Sequence, residues 1–71
     1  MNAQAIHVAT GFELHFAALF DGGRAFSFPC NASGQVDLDA LSERSRCNYL
    51  FARAATGRDL AWPCVTAVTL H

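Results

Sequence analysis

Two periodicities divide this chain. From Phe12 to Phe16 apolar and polar residues alternate, with Phe12, Leu14 and Phe16 set against Glu13 and His15, the pattern of a strand buried on one face. Ala17, Ala18 and Leu19 blur the alternation, and Phe12, Phe16 and Phe20 would also share one face of a helix. The strand is the better reading because Asp21-Gly22-Gly23 is a tight-turn signal, after which Arg24 to Phe28 resumes a period of two. Together they predict a β-hairpin. Pro29, which cannot donate to a ladder, is expected to end its second strand, and Cys30 to Gly34 to form a loop. An earlier apolar run, Ala5 to Ala9, predicts a brief strand at a sheet edge.

From Val36 the period changes to that of a helix. Asp37 can cap the first free N–H groups, and Val36 and Leu41 sit where a hydrophobic staple needs them. Asp37 and Asp39 suit the positive end of the helix dipole, Arg53 suits the negative end, and Gly57 can take the left-handed conformation that stops the helix. Apolar positions 38, 41, 49, 52 and 55 fall on one stripe, with Ser45 and Asn48 also on it. Glu43, Arg46 and Arg53 lie opposite. The spacing therefore predicts a helix from Asp37 to about Thr56. After a connection through Trp62-Pro63, the run CVTAVTL from Cys64 to Leu70 predicts a last strand. The expectation is a single small α+β domain over residues 1–71: a small antiparallel or mixed sheet of three to four strands, made of a β-hairpin, one long helix and a C-terminal strand, with the helix on one face.

Composition sharpens this picture at one point. Hydrophobic residues make up 52% of the 71 residues and charged ones 15%, so a core can form but the polar surface is thin. Some apolar surface is expected to stay exposed in a single copy, and a homodimer is the simplest way to cover it. Five Arg and no Lys against six acidic residues leave a net charge of −1, without the positive excess that generic phosphate-backbone binding uses. No basic region followed by an apolar run marks residues 1–11, and no apolar stretch approaches a bilayer's width, so a cytoplasmic location is expected. An odd number of cysteines, Cys30, Cys47 and Cys64, suits reduced thiols in that compartment.

Residues 28–58, FPCNASGQVDLDALSERSRCNYLFARAATGR, with the preceding LFDGGR, resemble a family of small bacterial proteins without an assigned function. The resemblance covers most of the chain and supports the hairpin followed by a helix as a unit. It implies no activity, cofactor or catalytic residue.

Chemistry-bearing residues are scattered. Cys30, Cys47, Cys64, His7, His15 and His71 show no paired metal-ligand spacing, so neither a metal nor a cofactor is expected. Cys30, in a polar loop with His15 as a conceivable base on the strand behind it, is the best thiol nucleophile; a thiol-dependent enzyme would need a lowered pKa and a cleft. Arg44, Arg46 and Arg53, with the Asp21–Arg24 turn, are the nearest approach to a nucleic-acid or nucleotide surface. Pairing of Glu43 with Arg46 and the helix dipole account for them without a ligand. Asn48 shares the core-facing stripe, where an unpaired amide costs about 1–3 kcal/mol, so it is expected to bond the loop near Cys30 to Gly34 and, like Asp37, to serve structure.

The remaining clue is apolar. Leu50 points away from the Leu41–Ala52 stripe, so Tyr49-Leu50-Phe51 makes the helix apolar nearly all round, and Trp62 comes within a short connection. Aromatic residues concentrate in interface cores. The expected function is therefore a non-catalytic protein-interaction module or small accessory subunit, homodimeric, with Leu50, Phe51, Trp62, Arg46 and Arg53 as its contact residues.

Overall fold

The computed structural model describes residues 10–69, so the strand expected at residues 5–9 lies outside the described residues, as do His7 and His71. Three strands, β1 (Thr10–Phe16), β2 (Phe26–Cys30) and β3 (Cys64–Thr69), form an antiparallel sheet in the order β2-β1-β3. Between β2 and β3 come a single 3₁₀ turn, Leu38–Ala40, and one helix, α1 (Glu43–Ala55). The fold is the expected α+β arrangement.

Register turns the alternation of β1 into two faces. Phe12, Leu14 and Phe16 stand opposite Cys30, Phe28 and Phe26, while Glu13 and His15 stand opposite Pro29 and Ser27. On the other side of β1, Leu14 opposes Val65 and His15 opposes Cys64. Successive side chains point to opposite faces, so the first set meets α1 and the second faces away from it. Leu14, Phe16 and Phe28 are buried with Ala52 and Ala55 of α1 and with Leu60. Two alanines on the helix let its backbone come close enough for Phe16, Phe28 and Tyr49 to meet edge to face, with ring centroids 5.9, 6.4 and 5.3 Å apart.

Three local expectations are corrected. The chain between β1 and β2 is not a tight hairpin loop: the ladder stops at Phe16 because the backbone beyond it is engaged elsewhere. Leu19 N–H donates to Asp59 (3.0 Å), and Ala61 N–H donates to Ala17 (2.8 Å), so residues 17–19 pair with the segment that succeeds the helix. Asp21-Gly22-Gly23 still makes its turn, closed by Gly23 N–H on the Phe20 carbonyl at 3.2 Å. Pro29 does not end β2 but lies inside it; β2 is an edge strand, where a missing N–H is tolerated.

The helix also begins later than expected. Asp37 does cap, accepting from Asp39 N–H at 3.1 Å, but what it caps is the 3₁₀ turn. Leu41 is extended, and Ser42 caps α1 afresh by accepting from Ser45 N–H at 3.1 Å. With Ser42 as the cap, Leu41 precedes α1 and the residue four positions into the helix is Arg46, so the expected Val36–Leu41 staple does not form, although Leu41 and Val36 both pack on the core. Arg46 holds the break together: its Nε donates to the Leu38 carbonyl at 3.2 Å and its Nη2 to the Leu41 carbonyl at 3.3 Å. The stop is as expected, with Arg53 in the last turn and Gly57 at φ 86° just past the Thr56 cap.

Candidate functional site

A groove of about 540 Å³ opens where α1, the residues 18–24 segment and the start of β2 converge. Leu60 is buried at its base, and Phe26 stacks on Phe28 (6.3 Å, 9°), which fixes the ring that lines the floor. Phe51 leans on Phe26 from the helix at 5.8 Å and Phe20 closes the other side, yet Phe51 and Phe20 stay 50% and 57% exposed. Gly23 lets the walls approach, for a Cβ there would stand 3.0 Å from the Ala18 Cβ and 3.2 Å from the Phe20 ring.

Polar groups of both signs edge this apolar hollow. The Arg24 guanidinium carbon lies 5.0 Å from the centroid of Phe26, a cation–π contact that holds the charge at the rim. Asp59 lies on the lining as well, its backbone tied to Ala55 and Leu19. Asn48 faces the groove half-buried, and among the described residues its amide makes no hydrogen bond. Its expected partner, the loop after Cys30, is served from within: Asn31 Oδ1 accepts from Ser33 and Gln35 N–H at 2.9 Å, and Asn31 Nδ2 donates to Gln35 Oε1 at 2.7 Å. The amide of Asn48 is therefore presented to whatever enters the groove.

The other expected contact residues separate. Leu50 and Trp62 are 55% and 78% exposed but do not line the groove. Arg46 is withdrawn from the surface by its two carbonyl bonds, which also removes it from the expected pairing with Glu43. Among the described residues the one ion pair within 4 Å is Arg58–Asp59, at 3.5 Å and well exposed. Arg44 and Arg53 are exposed, but nine residues at about 100° each place them on opposite sides of the helix. The basic patch does not assemble.

The thiol site does not assemble either. Cys30 closes β2 opposite Phe12, on the helix side, whereas His15 opposes Ser27 on the far side and shares a 2.8 Å hydrogen bond between its Nδ1 and Ser27 Oγ. Burial, and secondarily the Glu13 carboxylate, push the Cys30 thiol above its ordinary pKa, opposite to what a nucleophile needs. All three cysteines are free, and Cys47 and Cys64 are exposed while Cys30 is half-buried. Brief treatment with iodoacetamide at neutral pH should accordingly modify Cys30 last of the three, as read by peptide mapping; Cys30 reacting first would contradict the environment described. Among the described residues no three His, Cys, Asp or Glu side chains are grouped to hold a metal ion, and no helix is long and apolar enough to cross a membrane.

Phe51 and Asn48 are the groove residues that the sequence singles out. Arg24 is singled out too, but as part of a nucleotide-binding turn; Phe20, Phe26, Asp59 and Leu60 are not, because they come from three separate segments that converge only through the bonding of residues 17–19 to 59–61. No protein-family model, curated protein or solved structure matches this chain.

Proposed function

We propose that this chain is a non-catalytic protein-interaction module, a homodimer or a small accessory subunit, whose groove between Phe20, Phe26 and Phe51 receives an apolar side chain of a protein partner. The observation that carries this reading is that two aromatic walls, Phe20 and Phe51, stay half-exposed around an apolar floor while Leu14, Phe16, Phe28, Ala52, Ala55 and Leu60 beside them are buried. Covering the remaining half of one phenylalanine removes about 100 Å² from water and is worth roughly 2.5 kcal/mol at 25 cal/mol per Å². Arg24, Asp59 and the amide of Asn48 then orient the partner's backbone or polar groups at the rim. The nucleic-acid reading loses its central residue to the Leu38 and Leu41 carbonyls, and the thiol reading loses its base to the opposite sheet face.

A photo-crosslinking residue placed at Phe20 tests this in cells. It should yield protein adducts that the same residue at Arg44 does not, and adding Phe51→Asp should abolish them while circular dichroism stays that of the parent. Equal adducts from both positions, or adducts that persist in Phe51→Asp, would overturn the assignment.

A further inference from the structure

The least protected element of the fold is β3. Helix α1 packs chiefly on β2, so Val65 (39% exposed) and Ala67 on the helix side, and Cys64 and Thr66 on the other, all stay exposed. Gly34 lies against Val65, where an added Cβ would stand 3.1 Å from its Cγ2, and Phe12 beside Ala67 is itself 37% exposed. The strand's inner edge pairs with β1; among the described residues nothing pairs with its outer edge.

Edge strands of soluble domains are ordinarily guarded by charge, proline or a bulge, because a row of free N–H and C=O groups is a template for another strand. Among the described residues this sheet guards one edge and leaves the other unpaired. Pro29 sits within β2, whereas Cys64–Thr69, CVTAVT, contains neither a charged residue nor a proline.

We propose that β3 is a dimerisation edge, at which a second copy of this chain pairs its own β3 antiparallel about a two-fold axis to make one continuous six-stranded sheet. This rests on the homodimeric form of the reading above, but on a surface other than the groove. The occupant is a second copy because CVTAVT is self-complementary in the two respects that matter. An uncharged strand meets itself across a two-fold axis without like-charge repulsion, and an antiparallel pair satisfies that axis with the same patch on both sides. Opposed residues share a face, so both helices lie on one side of the joined sheet. Val65 and Ala67 then gain apolar neighbours there, and Thr66 gains cross-strand partners on the open side.

The test follows the full chain by sedimentation equilibrium and by backbone hydrogen exchange over a wide concentration range. A monomer–dimer equilibrium is expected, with protection of the Cys64–Thr69 amides rising in step with the dimer fraction. Thr66→Lys and Ala67→Lys, each at an exposed position and on opposite faces, should weaken dimerisation by about tenfold or more, since each sets like charges across the axis. Three results would each overturn the proposal: a monomer at every concentration; a dimer indifferent to both lysines with β3 amides unprotected; or protection of β3 that does not depend on concentration, which would mean that the edge is covered within one copy. Phe51→Asp separates the two surfaces. If it dissolves the dimer while both lysine variants do not, the copies meet at the groove; if the Phe20 adducts fail while the β3 dimer persists, the groove assignment falls and this one stands.

Discussion

Phe16→Ala is expected to lower the folding free energy by about 3–5 kcal/mol, the cost of removing a buried aromatic ring and leaving a cavity. Phe16 has no exposed surface and meets Phe28 and Tyr49 edge to face at 5.9 and 6.4 Å, so it joins β1, β2 and α1 at one point. No neighbour can fill the space: Ala52 and Ala55 on the facing helix are short, and Phe28 and Tyr49 are held by each other. At roughly 0.05–0.15 kcal/mol per residue a domain of this size has little stability beyond that loss. Urea denaturation followed by far-ultraviolet circular dichroism should show the midpoint falling by on the order of 2–4 M if the variant folds at all. A midpoint within about half a molar of the parent would mean that Phe16 is not the joint of this core.

The second large effect is expected at Arg46. Replacing it with Met keeps the length and apolar stem but removes both hydrogen bonds to the Leu38 and Leu41 carbonyls. Hydrogen bonds to a charged group are worth about 1.5–3 kcal/mol, and because this guanidinium is only half-buried the loss should be about 1–2 kcal/mol. Fraying should centre on the 3₁₀ turn, so the Ala40 and Leu41 amides, which donate to Asp37 and Leu38, should exchange faster than those of α1. Arg46→Lys should not restore the parent, because an ammonium is a point charge and cannot bridge two carbonyls as a planar fork does. A lysine variant with unchanged stability and exchange would show that the two bonds contribute nothing.

How much of the fold is legible in the sequence depends on the range over which each signal acts. The alternation of Phe12 to Phe16 is local, and it places Leu14 and Phe16 in the core correctly. Gly57 stops the helix by its own backbone, which needs no distant partner. The start of the helix is harder to place because two caps compete within a few residues. Asp37 and Ser42 each satisfy a backbone N–H, and the break between them is settled by Arg46 reaching back to carbonyls five and eight residues away. Asn48 stands out in the sequence as a polar residue needing an account, but its surroundings do not, since the loop expected to receive it is already satisfied by Asn31.

Local order alone therefore determined that this chain makes two paired strands, one helix and a last strand, because capping, alternation and turn chemistry act between residues close in sequence. Tertiary structure decided what surface those elements leave behind. The groove exists because residues 17–19 bond to 59–61 and bring Phe20 and Leu60 to Phe51, and the helix-side face of β3 stays exposed because α1 settles over β2. Both outcomes depend on which of several equally apolar faces find each other, and hydrophobic burial, having no direction of its own, leaves that choice to packing.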